Sequence, residues 1–375
     1  MELVVPKKNL LRMLQRCQGV ADKKSTMPVL ANVLLSAEGS ALRVAATDLY
    51  LAVTGSIEAE VKRAGSVAVP ARDMFDRVRH MPDGPIQVSL GNGAATSIKA
   101  VGSARRYTLH GVPGSDFPSL PEPSEDAIEI QIPVGILSSL IARTHFSIST
   151  DETRAHLNSA LFECEKGVAR MVTTDGHRLS KMEVEVEGLD AETTMLVPLK
   201  AITELRKLLD EVTDNRDTTT ITIAQTGPNA FFKLGGVQFS VKLVDAQFPP
   251  YEAVIPAMTD RAVRTPRLQF SEALRAVSLA ASDRTGGVKL GVADNTLRIT
   301  SESPESGNGF DEVPIDYSGP EISVGFNAKY LLDVLASIDD DEVTLGLSGE
   351  LDPAVVRPGD SEKDDYIAVV MPMRI

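Results

Sequence analysis

Apolar and polar residues follow two different periods along this chain. Runs such as VLLSAEGSALRVAATD (33–48) switch between apolar and polar residues at nearly every second position, which is typical of β-strands with one buried face. Other runs place apolar residues three and four positions apart, which predicts amphipathic helices. Three such helices open three similar stretches of chain: KNLLRMLQRC (8–17), VGILSSLIAR (134–143) and SEALRAVSLA (271–280).

Two further sets of segments recur at the same distance. VPARDMFDRV (69–78), VPLKAITELRKLL (197–209) and FNAKYLLDVL (326–335) each predict a second helix, and their basic residues Arg72, Lys200 and Lys329 are 128 and 129 positions apart. A strand that ends in a polar and an acidic residue also recurs, with Asp48, Asp175 and Glu302 at intervals of 127. Three markers in one register indicate an internal repeat rather than chance alternation.

The repeat predicts an α+β fold of three tandem copies of one domain, built from helices and a mostly antiparallel sheet. Proline-rich stretches with little periodicity, at 116–127 and 248–262, mark the joints between copies. The predicted domains are 1–121, 128–250 and 258–375. The strands lie too close together for a doubly wound nucleotide-binding fold.

Composition limits the classes of protein that this chain can belong to. Its 375 residues are 43% hydrophobic and 24% charged, which is ordinary for a globular protein of two or three domains. No apolar run approaches the roughly 20 residues that cross a bilayer, and the start lacks a signal-peptide core, so a cytoplasmic protein is expected. The cysteines, Cys17 and Cys164, have neither disulfide nor zinc-site spacing.

The net charge of −14 argues against a protein that coats itself in nucleic acid, although it does not exclude local basic surfaces. Aromatic residues make up 5% of the chain and tryptophan is absent, so a platform that stacks single-stranded bases is poorly supplied.

One segment, TTDGHRL (173–179), has residues of the kind that catalyse reactions. Asp175 and His177 suggest an acid/base pair or part of a metal site. A pair two positions apart lacks a third ligand, however, and the sequence has no phosphate-binding loop or nucleophile elbow. A turn is the favoured interpretation, since Gly176 permits a positive φ. His177 and Arg178 would then bind a partner's backbone. No cofactor, metal site or catalytic residue is predicted.

The whole chain resembles the bacterial sliding clamp, the β subunit of DNA polymerase III. The resemblance rests on TDGHRLS (174–180), DETRAHLNSALFE (151–163), FPPYEAVIP (248–256), MPVLANVLL (27–35), PARDMFD (70–76) and the terminal VVMPMRI (369–375). It implies a non-catalytic DNA clamp fold: a head-to-tail homodimeric ring with helices inside and sheets outside. Such a ring encircles duplex DNA without regard to sequence, slides along it and gives the polymerase its processivity.

A sliding ring needs a weakly attractive interior, and the predicted helices carry many of the basic residues. The resemblance places the DNA-binding positions at Lys24, Arg72 and Arg79, and the basic residues of the helix predicted at 197–209 add Lys200 and Lys207. Asp151 stands where the family has a polar DNA-contacting residue, which puts that contact in doubt.

The resemblance also implies a peptide-binding pocket, shared by the replicative polymerase's catalytic subunit, the clamp loader and other replication and repair proteins that carry a clamp-binding motif. Apolar and methionine side chains would form an adaptable cleft, and polar ones would fix an extended peptide. Alternate residues of the last predicted strand would face the core, and the others would line the cleft. The matching positions are Leu157, Thr174, Gly176, His177, Arg178, Leu179, Pro249, Val254, Pro353, Val369, Met371, Pro372, Met373 and Arg374.

For the dimer, the resemblance implies pairing between edge strands of the first and third domains. Its apolar interface positions are Tyr107, Leu109, Leu279 and Ala280. Two other hypotheses remain open at this point. One is a hydrolase or metal enzyme that uses Asp175 and His177, and the other is an adaptor of repeated domains that never meets DNA.

Overall fold

The structure is a computed structural model that describes residues 1–282, 285–359 and 365–374. Only Asp365 of the acidic run at 360–365 falls within these ranges, and Ile375, the last residue of the terminal motif, lies outside them. Each third of the chain follows one order of elements: a strand, a helix, four strands, a second helix and three strands. The first third adds two short strands, β5 and β10, to this order. The three tandem α+β copies predicted from the sequence are therefore confirmed.

Within the described residues, the first copy contains β1 (Glu2–Pro6), α1 (Lys7–Val20), β2 (Asn32–Glu38), β3 (Ala41–Thr47), β4 (Leu51–Glu58), β5 (Glu60–Arg63), β6 (Gly65–Pro70), α2 (Ala71–Arg79), β7 (Pro85–Leu90), β8 (Ala95–Ala100), β9 (Arg106–His110) and β10 (Val112–Pro113). The second contains β11 (Ile128–Pro133), α3 (Val134–Thr144), β12 (Ser159–Glu165), β13 (Val168–Thr174), β14 (Arg178–Glu185), β15 (Thr193–Pro198), α4 (Leu199–Asp210), β16 (Thr220–Thr226), β17 (Asn229–Leu234) and β18 (Val237–Lys242). The third contains β19 (Arg261–Pro266), α5 (Arg267–Ser278), β20 (Gly287–Ala293), β21 (Thr296–Ser303), β22 (Gly307–Pro314), β23 (Ile322–Asn327), α6 (Ala328–Ser337), β24 (Glu342–Leu347), β25 (Ala354–Pro358) and β26 (Tyr366–Val370).

Proline sets the start of most helices. Five of the described helices follow a strand that ends in proline, such as α1 after Pro6 and α5 after Pro266. Proline lacks an N–H and holds φ near the helical value, so it closes a strand and leads into a helix at no cost in hydrogen bonds. Pro266 thus starts α5 four residues before the predicted Ser271. At α6, Asn327 replaces proline, and its side chain accepts a hydrogen bond from the Lys329 N–H at 2.9 Å.

The chain packs as two compact units. The first comprises residues 1–135 and 203–243, and the second comprises 136–202 and 244–375. The first unit holds a five-stranded sheet (β5-β1-β7-β8-β9) and a nine-stranded sheet (β10-β6-β2-β3-β4-β18-β17-β16-β11). The second unit holds an eight-stranded sheet (β15-β12-β13-β14-β26-β25-β24-β19) and a four-stranded sheet (β22-β21-β20-β23).

Each of the two larger sheets is shared between neighbouring copies of the repeat. In the first unit, β4 of the first copy pairs antiparallel with β18 of the second, with Val53 opposite Phe239. In the second unit, β14 of the second copy pairs with β26 of the third, with Ser180 opposite Ala368. We call these two pairings the seams. Because the central copy contributes strands to both sheets, the three copies along the sequence pack as two units.

The last strand is buried on both faces, so its residues that were predicted to line the cleft offer almost no surface. All five residues of β26 are buried, from Tyr366 to Val370. The reason is position: β26 lies inside the eight-stranded sheet between β14 and β25, and both of its faces are covered. Only the residues that follow the strand are partly exposed.

Candidate functional site

The TTDGHR segment forms a tight turn between β13 and β14 at the second seam. The Thr174 hydroxyl donates to the Arg178 carbonyl at 2.6 Å and accepts from the Gly176 N–H at 3.1 Å. The Asp175 carboxylate accepts the N–H groups of His177 and Arg178 at 2.9 and 3.1 Å. Gly176 has a φ of +91°, which a residue with a Cβ adopts only under strain. The predicted turn with a positive φ is present.

The guanidinium of Arg178 is held inside the protein, with only 8% of its side chain exposed. Nε lies 3.0 Å from Asp175 Oδ2, Nη1 lies 2.6 Å from Asp333 Oδ2, and Nη2 donates to the Phe146 carbonyl at 2.5 Å. The guanidinium carbon also lies 4.6 Å from the centre of the Tyr330 ring. The guanidinium of Arg178 is therefore bonded within the chain, in contrast to the expectation that it fixes a partner's backbone.

His177 is the exposed side chain of this turn. Its ring is nearly parallel to that of Tyr330, with an interplanar angle of 18° and centroids 6.3 Å apart. Burial and the neighbouring Asp175 carboxylate raise the pKa of Tyr330, so the phenol stays neutral. His177 can thus present its ring nitrogens outward from a fixed position, as the peptide-site prediction requires.

Below the turn lies an apolar floor. Leu179 and Val369, opposite each other in the β14–β26 pair, are buried together with Tyr251. Burial raises the pKa of Tyr251 to about 12. Four partly buried residues of the segment that follows β18 pack on this floor, so apolar surface remains at its rim. The floor comprises Leu161, Val172, Leu179, Leu196, Tyr251 and Val369, and the rim comprises Val244, Phe248, Val254 and Ile255.

The tail after β26 follows directly on the strand that carries the floor residue Val369. The Met371 N–H donates to the His177 carbonyl at 2.9 Å, and the Met373 N–H donates to the Gly325 carbonyl at 2.9 Å. Met371, Pro372 and Met373 are each partly exposed. The tail is thus tied to the turn at one end and to β23 at the other. We call the turn, the floor, the rim and the tail together the cleft.

The structure brings most of the predicted pocket residues together in the second unit. Turn, floor, rim and tail contain Thr174, Gly176, His177, Arg178, Leu179, Val254, Val369, Met371, Pro372 and Met373. The remaining predicted positions differ in exposure: Leu157 is buried, Pro249 and Pro353 are partly exposed, and Arg374 is exposed. Leu179 and Val369 form the floor of the cleft and offer almost no surface themselves.

Sequence reasoning missed the contribution of α6. Tyr330 and Asp333 lie on this helix and contact Arg178, which is 155 positions away from Asp333. The only available signal was their i, i+3 spacing, which places them on one helix face. No local pattern points from them to the turn.

The enzymatic interpretation of Asp175 and His177 has no support in the geometry. The Asp175 carboxylate accepts two backbone N–H groups and the Arg178 Nε, while the His177 ring stacks on Tyr330. Among the residues that the structure describes, no three His, Cys, Asp or Glu side chains cluster as metal ligands would. In the same ranges, no helix is both long and apolar enough to cross a membrane.

The predicted DNA-binding residues are all exposed, and several lie beside a carboxylate. On α2, Arg72 Nε and Arg79 Nη2 lie 3.7 and 3.3 Å from the two carboxylate oxygens of Asp76. On α4, Lys207 Nζ lies 2.7 Å from Glu204 Oε1. The pairs with Asp76 are exposed and are worth about 1 kcal/mol or less, so a phosphate can replace this carboxylate, whereas the Glu204 side chain is only 8% exposed. Lys24 lies in the loop after α1 and Lys200 in the first turn of α4.

Two further groups of charged residues are paired within the chain. Arg12 and Arg16 of α1 both bond Glu211, at 2.6 Å for the shortest contact of each. Burial alone would raise the pKa of the Glu211 carboxyl, but these hydrogen bonds hold it below its usual value. Asp151 accepts from the Thr153 N–H and the Arg154 Nε at 3.0 Å, so it stabilises its own turn.

The predicted dimer residues lie at or near sheet edges, but only some offer surface. Tyr107, on the edge strand β9, is partly exposed, and Leu279, after α5, is 83% exposed. Leu109 and Ala280 are buried within the chain and add little contact area. The sequence missed Phe310, which is 64% exposed on the edge strand β22 and stood in an otherwise polar run.

Comparisons with known proteins cover the full chain. Family models of the DNA polymerase III beta subunit match residues 1–121 (N-terminal domain), 131–250 (central domain) and 252–374 (C-terminal domain). The beta sliding clamps of Pseudomonas aeruginosa and Vibrio cholerae are 34% and 31% identical to the chain, over 100% of each protein.

Solved structures agree. A DNA polymerase sliding clamp from Pseudomonas aeruginosa has a TM-score of 0.92 at 33% identity, and one from Bartonella birtlesii, bound to griselimycin, has a TM-score of 0.93 at 34% identity. Both similarities extend over 100% of each chain.

Proposed function

The chain belongs to the DNA polymerase III β-subunit family, the bacterial sliding clamps, and from this premise we propose that two copies form a head-to-tail ring around duplex DNA. Members of the family are non-catalytic processivity subunits in replication, so the enzymatic hypothesis is wrong. In the proposed ring, helices line the hole and sheets form the outside. The ring acts in the cytoplasm, and its domains are 1–121, 128–250 and 258–375.

The seams support the head-to-tail arrangement. At each seam, the third strand after a copy's first helix pairs with the last long strand of the next copy: β4 with β18, and β14 with β26. The equivalent strands left at the ends are β22 in the third copy and β9 in the first, and both are sheet edges. Pairing β22 of one molecule with β9 of another repeats the seam and closes two edges that otherwise invite aggregation. Tyr107, Leu279 and the exposed Phe310 are the apolar side chains available for this contact.

DNA contact in the proposal is electrostatic and independent of sequence. Lys24, Arg72, Arg79, Lys200 and Lys207 present exposed charges, and the carboxylates beside several of them keep the attraction weak. Weak contacts suit a ring that slides, because it is held by enclosure and not by affinity. The overall charge of −14 keeps the outer surface from competing for DNA.

The cleft is proposed to bind extended peptide segments of the replicative polymerase's catalytic subunit, the clamp loader and other replication and repair proteins. The observation that carries this proposal is the meeting of turn, tail and partly exposed apolar rim over one floor in the second unit. Methionine and valine side chains accommodate varied partners, and His177 offers a polar contact at the edge. We propose that griselimycin binds the same cleft.

Retention on DNA tests the ring. After loading by a clamp loader, the protein is expected to stay on nicked circular duplex and to leave once the circle is cut, as measured by gel filtration of the complexes. Replacing Lys24, Arg72, Lys200 and Lys207 together by alanine is expected to reduce loading, whereas replacing the exposed strand residues Arg43, Lys62, Lys99 and Arg298 is not. Equal loading by both quadruple variants would contradict the proposed DNA-contact residues, and failure of the wild-type protein to stay on nicked circles would favour an adaptor that does not meet DNA.

Peptide binding tests the cleft separately. Val254→Glu places a charge at the apolar rim and is expected to weaken binding of a labelled polymerase peptide about 100-fold, since burying an unpaired carboxylate costs several kcal/mol. Met258→Glu is the matched control, because Met258 lies in the same segment and is 86% exposed. Fluorescence anisotropy measures both, and equal affinities for the two variants would contradict a cleft at this place.

A further inference from the structure

The first copy of the repeat contains a turn with the same backbone as the turn of the cleft. Thr47, Asp48, Leu49, Tyr50 and Leu51 lie 127 positions before the residues from 174 to 178. The Thr47 hydroxyl donates to the Leu51 carbonyl at 3.1 Å, and Asp48 accepts the N–H groups of Tyr50 and Leu51 at 2.9 and 2.6 Å. Leu49 even has a φ of +76° where Gly176 has +91°. This turn is an internal control for the other.

The control turn forms without an arginine. Leu51 occupies the place of Arg178 and is buried, and the threonine and aspartate hydrogen bonds are the same. An arginine at this position of the turn is therefore not required to close the backbone. The internal contacts of Arg178 must serve something other than turn formation.

Those contacts lead to α6 in the third copy of the repeat. Of the two carboxylates that Arg178 bonds, Asp333 is the nearer, at 2.6 Å, and Tyr330, one turn earlier on α6, contacts both the guanidinium and the His177 ring. The Asp333 side chain is 30% exposed, whereas that of Arg178 is 8% exposed. A mostly buried, charge-assisted bond of this length fixes side-chain geometry more strongly than an exposed pair.

The position of the tail depends on the same contact between the 174–178 turn and α6. Its Met371 N–H bonds the His177 carbonyl, and its Met373 N–H bonds Gly325 in β23, the strand that leads into α6. Displacing the turn from α6 thus shifts the exposed His177 ring and one anchor of the tail together.

We propose that Asp333 is a positioning residue for peptide binding: through Arg178 it holds the 174–178 turn against α6, so that His177 and the tail keep the geometry that accepts a peptide. This rests on the proposed peptide-binding function of the cleft. Asp333 itself touches no peptide in this role. It makes recognition by the second copy depend on correct docking of the third.

The experiment uses the full chain and a fluorescent peptide copied from the polymerase's clamp-binding segment. Asp333→Ala and Asp333→Asn are expected to weaken binding about tenfold, in the range of known long-range positioning effects, and Asp333→Glu to restore most of the loss. The matched control is Asp339→Ala, which removes the exposed partner of Arg143, 3.6 Å away, at the same pairing of copies. It is expected to leave affinity unchanged.

Two readouts separate positioning from general stability. If Asp333 acts through Arg178, the Arg178→Ala and Arg178→Ala/Asp333→Ala variants bind peptide equally. The NMR signals of the His177 ring are expected to shift in Asp333→Asn, which keeps the side-chain volume and an acceptor, while the far-ultraviolet circular dichroism spectrum stays that of the wild-type protein.

The outcomes are distinct. Wild-type affinity in Asp333→Ala and Asp333→Asn overturns the positioning role and leaves the proposed function intact. Equal losses in Asp333→Ala and Asp339→Ala also overturn it, since the effect is then general to the junction. Failure of the wild-type protein to bind the peptide overturns the proposed function of the cleft and this inference with it.

Discussion

The turns at 47–51 and 174–178 close with the same hydrogen bonds but stand over different floors. Strand register gives three floor residues of the cleft a counterpart in the first unit that is small. Ala45, Ala52 and Ser240 stand where Val172, Leu179 and Val369 form the cleft. The Ser240 hydroxyl also donates to the Pro121 carbonyl at 3.3 Å.

This difference separates the requirements for a turn from those for a binding site. A threonine and an aspartate suffice for the backbone, and the seam supplies the neighbouring strand in both places. The 174–178 turn differs from the 47–51 turn in two respects. It lies beside a floor of large apolar side chains, and its Arg178 bonds Asp333 on α6. The repeat thus contains two turns with the same backbone, and the volume and charge of the neighbouring side chains make a cleft at one of them.

The largest effect is expected from giving the cleft the residue of its counterpart. Arg178→Leu, which copies Leu51, leaves the Asp175 and Asp333 carboxylates without their cation. Peptide affinity is expected to fall about 100-fold, and the free energy of unfolding by about 2 kcal/mol, because both carboxylates lose a charge-assisted bond. Anisotropy and urea denaturation measure the two quantities.

The reverse change is the control for this prediction. Leu51→Arg is expected to create no peptide site, because the small residues beneath that turn provide no floor. Wild-type peptide affinity in Arg178→Leu would break the distinction between the two turns.

The aspartates of the two turns, Asp175 and Asp48, are expected to respond unequally to substitution by asparagine. Asp175→Asn weakens the bonds to two backbone N–H groups and removes the charge that faces Arg178, so the local opening free energy should fall by about 1–2 kcal/mol. Asp48→Asn weakens the corresponding backbone bonds without an arginine nearby in its turn and should cost about 0.5–1 kcal/mol. Hydrogen exchange at the two turns measures both, and a larger loss at 48 would show that Arg178 contributes little.

A smaller effect of opposite sign is expected at the positive-φ positions. Gly176→Ala should cost about 1 kcal/mol, since a Cβ is strained at this φ, although it would meet only the Arg154 side chain at an ordinary 3.7 Å. Leu49→Gly relieves the same backbone strain but raises the conformational entropy of the unfolded chain. The free energy of unfolding should therefore change by about 0.5 kcal/mol or less. Thermal unfolding compares them, and equal destabilisation by both changes would contradict the matching of the two backbones.

The smallest effect is expected from Tyr50, the counterpart of His177. Its side chain is 67% exposed, with Lys242 5.6 Å above the ring. Tyr50→Ala is expected to leave peptide affinity within about twofold of wild type, whereas His177→Ala should reduce it about tenfold through loss of one polar contact. A loss of affinity in Tyr50→Ala would indicate a second site in the first unit.

Much of the fold could be predicted from local patterns in the sequence. The repeat interval aligned the strand ends at Asp48 and Asp175, and the three- and four-residue spacing of apolar residues located the helices, because a helix face is set by residues a few positions apart. The position of Gly176 in its turn followed from backbone sterics alone. These features depend on near neighbours, which are also adjacent in the sequence.

The features that escaped prediction depend on distant partners. The bond between Arg178 and Asp333 joins residues 155 positions apart and has no local signal. The burial of both faces of β26 follows from its place within a sheet shared by two copies, whereas the alternation rule assumes one exposed face. For the same reason the sequence named Leu109 for the dimer and missed Phe310: the residue type was visible, and its exposure was not.

The shared sheets also limit how the chain can be dissected. Cutting the chain between residues 121 and 131 would separate β18 from β4 and leave a long, apolar, unpaired strand edge on each fragment. Isolated fragments of this kind are prone to aggregate. A fragment meant for the study of one repeat therefore has to carry the last strands of its neighbour, and gene segments that encode a single repeat are poor candidates for soluble expression.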